Sequence, residues 1–343
     1  CRCCLDQRAR WALNCGIVKM DNFSNEAVVF ESPEEYAEWK KVYWSDENIE
    51  YMQHVTAMEK KYGKNFEKML NSMTDKEYEK YKRLLDNNPM YKPVVNQSIK
   101  INFKPATTID EAEEYAQKFF ESGYSPTFKG QAVYKGISIE HANEINKTLE
   151  EIYSQYEIPK LNGIKAISPT SAKGKKIFSS DDAVAAYNPA EHGIFINKKI
   201  LNDAKALEIY NKNAENAWDI VMNNIDMHTG RQLELAERYK RAGRQIVGDG
   251  SVRDYIIHEM GHHAQWTMIS PRDGNAIGDR MGKYAPHISG YANASRGEYI
   301  AESFAAYMKG QKDILDPEFV KLVSDKKYLA NSVENGTIKL SNI

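Results

Sequence analysis

Apolar residues recur at helical spacing through most of the chain, and short apolar runs bounded by turn residues occupy its middle. Near the start, Ser32-Pro33-Glu34-Glu35 offers a capping hydroxyl, proline at a first helical position and acids at the positive dipole end. Tyr36, Trp39, Val42 and Tyr43 follow on one face, so a helix is expected there. Thr74-Asp75-Lys76-Glu77 has the form of a capping box and leads into Tyr78, Tyr81, Leu84 and Leu85. The stretch 32–88 reads as a small helical hairpin or spacer whose aromatics form its core rather than a platform for stacked bases. Asn87-Asn88-Pro89 and Lys92-Pro93 break the pattern, and 89–106 is expected to be a linker or edge strand. A further helix starts near Thr108, with Ala112, Tyr115, Ala116, Phe119 and Phe120 on one face, and closes at Ser122-Gly123.

From about 131 the rhythm changes to α+β. A helix over 139–155 precedes a strand at Gly163–Ser168. Ala183–Tyr187 and Gly193–Asn197 flank Asn188-Pro189-Ala190-Glu191-His192 and predict a hairpin. Helices are expected over 200–223 and 229–243, and another begins at Ser251. The layout is therefore a remnant of an upstream domain at 1–30, a helical spacer and linker at 31–104, and an α+β domain at 105–343. No internal repeat is evident.

Composition narrows the classes. The chain has 343 residues, 42% hydrophobic and 27% charged, with a formal net charge of −2. That is ordinary for a globular protein and gives no general attraction to nucleic acid or an anionic surface. No apolar run approaches the roughly 20 residues of a membrane span, and no secretory leader is visible. Cys1 in place of an initiator Met leads us to expect a fragment or processed product. The four cysteines are Cys1, Cys3, Cys4 and Cys15. With no matching Cys/His cluster downstream, they read as the tail of a preceding domain, ahead of half a metal site or a lipidated Cys1.

The chemistry is concentrated in the helix from Ser251, in the run His258-Glu259-Met260-Gly261-His262-His263. At about 100° per residue, His258 and His262 lie about 40° apart on one face, so both imidazoles can reach one ion. Glu259 lies one position round, within reach of a water on that ion. A chance HExxH in a chain of this composition is on the order of one in a hundred. The apolar pattern around the motif, Val252, Ile256, Ile257 and Met260, argues against two solvated surface histidines. His263 points away from His262 and reads as structural. A catalytic zinc needs a third protein ligand and an open position. The metzincin continuation is absent, since Gln265 and Met268 stand where its Gly and His belong. Three candidates remain: Glu298, Glu302 and, third, His287 in a Gly-rich loop. Glu298 and Glu302 share one face of an amphipathic helix running from Ser295 to Gly310. One would be the ligand and the other an acceptor for a histidine's far N–H. If Ser295-x-x-Glu298 is only a capping box, Glu302 becomes the ligand.

The order His258-Glu259-x-x-His262, Tyr291, then Glu298 within Glu-Tyr-Ile-Ala-Glu-Ser-Phe resembles the catalytic domain of the anthrax lethal factor family of zinc metallopeptidases. There HExxH is followed by a Tyr seven residues ahead of the ligand Glu, in a stretch like E-F-F-A-E-A-F. The resemblance covers about 251–308. It implies a zincin-like fold, a twisted and mostly antiparallel sheet with the active-site helix. It implies one zinc ion per chain on His258, His262 and Glu298, with Glu259 as general base, Tyr291 as transition-state donor and Glu302 supporting a ligand histidine. The implied partner is a protein or peptide substrate, which we place on a sheet edge formed by Gly193–Asn197. The connection from His262 to Tyr291 is shorter than in that family. Cys1-Arg2-Cys3 and the following Leu5 resemble the end of phage minor head proteins, which implies a virion-associated or delivered peptidase. The rival expectation is a non-catalytic, zinc-stabilised virion or binding module, in which Glu259 has no task.

Overall fold

The computed structural model describes residues 18–19, 27–28, 37, 40–41, 43–88, 103–120, 128–156, 158–178 and 183–324. The cysteine cluster, the helix start at Ser32–Glu35, most of the expected linker and the stop at Ser122-Gly123 lie outside them. The described residues fall into two compact units, one drawn from 1–95 with 270–272, the second from 96–269 and 273–327.

In the first unit, β1 (Val18–Lys19) and β2 (Ala27–Val28) pair antiparallel. Three helices follow, α1 (Asp46–Tyr62), α2 (Phe66–Ser72) and α3 (Asp75–Asn87). Each starts on a side chain that accepts a backbone N–H: Ser45, Asn65 and Thr74, the last with Glu77 in a complete capping box. Tyr51, Val55 and Met58 of α1 pack with Met69 and Leu70 of α2 and with Tyr78, Tyr81, Leu84 and Leu85 of α3. The aromatics are this unit's core.

The second unit begins with α4 (Ile109–Ala116), again behind a capping box, Thr108 with Glu111. In order come β3 (Gln131–Val133), α5 (Ile139–Gln155), β4 (Gly163–Ile167), α6 (Gly174–Ile177), β5 (Ala185–Asn188) and β6 (Gly193–Asn197). Then come α7 (Ala204–Asn223), α8 (Gly230–Ala242), α9 (Val252–Met268), α10 (Pro271–Asp279), α11 (Met281–Ile288), α12 (Arg296–Met308) and α13 (Pro317–Ser324). Among the described residues, no helix is long and apolar enough to cross a membrane.

The α+β class stands, but the expected mostly antiparallel sheet does not. The four strands run in the order β3-β4-β6-β5, with β3 parallel to β4, β4 parallel to β6, and only β5 antiparallel to β6. Connectivity is the cause. A parallel pair needs a crossover of about a dozen residues or more, and the 17-residue α5 carries the chain from β3 to β4. Only the short 189–192 turn reverses the chain, between β5 and β6. β3 has three residues, too few to show alternation in the sequence. A second expectation fails with it. β6 is internal and buried along its whole length, so the edge beside α9 is β5.

The core sits between the sheet and the helices. Ile145, Leu149 and Ile152 of α5 are fully buried, as are Ile164 of β4 and Ile194, Phe195 and Ile196 of β6. α9 packs on α12, α5 and β5. α12 is not amphipathic as expected: every residue from Tyr299 to Tyr307 is buried, because the helix lies inside the unit.

Candidate metal centre

α9 forms because Ser251 accepts the N–H of Asp254 at its start, and Val252, Ile256, Ile257 and Met260 bury one side of it. Asp254 is itself buried, accepting from the Asp249 N–H at 2.7 Å and pairing with Lys309 Nζ at 2.6 Å. That pair ties the start of α9 to the end of α12. Midway along, the two helices come close at Gly261, where a Cβ would lie 2.8 Å from Ala301 Cα and 2.9 Å from its carbonyl oxygen. Glycine gives up helix propensity here so that two backbones can approach, and the approach brings Glu298 and Glu302 over the histidines.

The side chains of His258, His262 and Glu298 each offer one donor atom, and the three lie within 4.8 Å of one another. Glu298 Oε2 is 3.1 Å from His258 Nε2 and 3.3 Å from His262 Nε2. Donors placed tetrahedrally about 2.0–2.1 Å from a zinc ion are about 3.3 Å apart; the two carboxylate–imidazole distances match that spacing, and the donor types are those zinc takes. All three are largely but not fully buried, with Glu298 22% exposed.

Ser295 caps α12 by accepting the Glu298 N–H at 3.2 Å, while the Glu298 carboxylate turns to the histidines instead of closing a capping box. Glu302, one turn on, has a different surrounding. Its Oε1 accepts from His258 Nδ1 at 2.7 Å, and its Oε2 accepts from the Val247 N–H at 2.8 Å and the Ser289 hydroxyl at 2.6 Å. Those bonds occupy both oxygens and fix the His258 tautomer, directing Nε2 to the shared centre. Burial alone would push the Glu298 carboxyl up, but its bonds to His258 and His262 hold it down at about 2. Burial works against charge on His258, but the bonds to Glu298 and Glu302 and the nearby Glu259 charge raise it to about 10.

Glu259 is buried, and its Oε2 accepts the outward N–H of Tyr187 in β5 at 2.6 Å. The hydroxyl of Tyr187 lies 3.2 Å from Nδ1 of His263, whose Nε2 donates to the Pro159 carbonyl at 2.7 Å. His263 is thus structural, as the sequence led us to expect, and it locks the edge strand to α9. Tyr291 opens the short 3₁₀ turn Tyr291–Asn293, and its ring centroid is 5.6 Å from that of His258. His287 is exposed in the last turn of α11, not in a loop, and is absent from the cluster.

Sequence reading did not find Tyr187, Val247 and Ser289. Two of them act through backbone N–H groups, which every residue but proline carries, so residue type gave no signal. No protein-family model matches the chain, and comparison with curated proteins and with solved structures finds no significant match to it.

Proposed function

We propose that the chain is a zinc-dependent endopeptidase of the lethal-factor type, with zinc on His258, His262 and Glu298. The observation that carries this reading is the convergence of two imidazole nitrogens and one carboxylate oxygen beside a second, separately held carboxylate, Glu259. A purely structural site has no use for that second group. When bound, zinc lowers the pKa of a coordinated water toward about 7 and polarises a scissile carbonyl. Glu259, held on one oxygen by Tyr187 N–H, would keep its other oxygen for the proton of the attacking water and would pass that proton to the leaving amine. Tyr291, beside His258, offers its hydroxyl to the developing oxyanion of the substrate. Glu302 keeps His258 oriented throughout.

The substrate is an extended peptide lying along β5. The alternation in the β5–β6 pair, with Tyr187 N–H directed at Glu259, turns the N–H and C=O of Ala185 away from β6 as well. An added strand takes its register from such outward groups, alongside Glu259.

The test combines metal content with hydrolysis of a peptide library by the wild type and by Glu259→Gln. About one zinc per chain in both, with hydrolysis lower by about 10²–10⁴-fold in the variant, is expected. A wild type that takes up no zinc after purification without chelator and attempted reloading would end the reading. Zinc binding with no hydrolysis of any peptide would favour a zinc-stabilised module.

A further inference from the structure

The chain just ahead of α9 reaches back over the site. The N–H groups of Gly290 and Tyr291 donate to the carbonyls of Arg244 and Gln245, at 2.9 and 2.8 Å. Two residues further on, Val247 N–H holds Glu302. The half-buried Arg244 side chain joins the same contact from another direction: its Nε donates to the Ile288 carbonyl and its Nη2 to Gln311 Oε1 at 2.8 Å. Ile288 ends α11, Ser289 bonds Glu302, and Tyr291 follows.

We propose that Arg244 is a positioning residue of the centre, fixing the turn that carries Tyr291 and Ser289 against α9 and α12. The guanidinium suits the task because its donors are coplanar and rigidly spaced. With Nε and Nη2 both engaged, the plane of the group sets the angle between the Ile288 carbonyl and the chain beyond α12. A lysine in its place makes a point contact and sets no angle. The turn is short, and Tyr291 is its first residue, so a rotation about Ile288 moves its ring relative to that of His258. Displacements of about 1 Å in a donor can cost about 10²-fold in rate. Arg244 touches neither the metal ligands nor Glu259, so its effect on the rate passes through the placement of Tyr291.

The inference rests on the peptidase reading for the role of Tyr291, and two measurements keep the two ideas separable. The first is a double-mutant cycle on kcat and KM with Arg244→Met and Tyr291→Phe, alone and together, and zinc content measured on each. Arg244→Met is expected to lower kcat about ten- to a hundredfold with KM and zinc content little changed. Added to Tyr291→Phe, it should cost no more than about twofold further, because both changes remove one function. Fully multiplicative losses, or loss of zinc in step with activity, overturn the assignment. Arg244→Lys, which keeps charge and stem, is expected to recover less than half of the loss, and serves as the test variant should Arg244→Met fail to fold. The second measurement is the nuclear Overhauser contact between the Tyr291 and His258 rings in the whole protein. It should weaken in both Arg244 variants, and an unchanged contact refutes the positioning role even if the wild type hydrolyses nothing.

Discussion

Glu298 and His258, forty residues apart in the chain, meet at 3.1 Å, while Glu302 approaches the other nitrogen of the same imidazole at 2.7 Å. One ring is therefore gripped from both sides by carboxylates one helical turn apart. The two acids differ in what else they touch. Glu298 shares its oxygen with His262, and Glu302 is committed to Val247 and Ser289.

That difference predicts different outcomes for two alanine substitutions. Glu298→Ala removes a donor and is expected to abolish tight zinc binding. Glu302→Ala leaves three donors but frees the His258 ring, and is expected to weaken zinc about 10–100-fold. Competition titration against a chromogenic chelator reads both. Equal losses, or a larger loss for Glu302→Ala, would contradict the assignment of Glu298 as ligand.

Gly261 sits where α9 crosses α12. Gly261→Ala gains about 1 kcal/mol of helix propensity but drives a methyl to 2.8 Å from Ala301 Cα, backbone that cannot swing aside. Overpacking of this kind costs about 1–3 kcal/mol. A net loss of stability in urea unfolding is expected, together with weaker zinc binding as Glu298 is pushed away. A variant more stable than the wild type would show that the helices can separate freely.

The metal-free cluster carries a proton that zinc must displace. His258 is raised from its ordinary 6.5 to about 10 by Glu298 and Glu302 against the effect of burial. Its contribution to the metal-free fold is therefore complete below pH about 6.5 and lost as the pH climbs through about 10. Zinc affinity runs the other way, rising about tenfold per pH unit over pH 6–8 as one proton is released per ion. Calorimetry in two buffers of different ionisation enthalpy counts that proton. Affinity that does not change with pH would rule out a protonated His258.

Edge-strand docking makes Ala185 sensitive to proline. Ala185→Pro removes one outward N–H at an edge, where the sheet itself tolerates the loss. A fall of about two- to tenfold in kcat/KM with zinc content intact is expected, since one backbone bond to substrate goes at about 1 kcal/mol. Unchanged kinetics on long peptides would exclude β5 as the docking strand.

The local part of this protein was legible in its sequence. Ser251 and the apolar positions of α9 set that helix, and helix geometry alone puts His258 and His262 on one face. The capping box at Thr74 and the helix start near Thr108 marked two more helices. These are interactions within about four residues, and residue type decides them. The sequence left Glu298 and Glu302 open because both lie on the same face, and only the approach of α12 to α9 across Gly261 gave them separate partners. Sheet direction, the burial of β6 and the edge position of β5 followed from how crossovers close in space. Val247, Tyr187 and the Arg244 contact were silent in sequence for a related reason. Backbone donors and carbonyls are common to nearly every residue, so what they hold is decided by where the chain returns, not by which residue it carries.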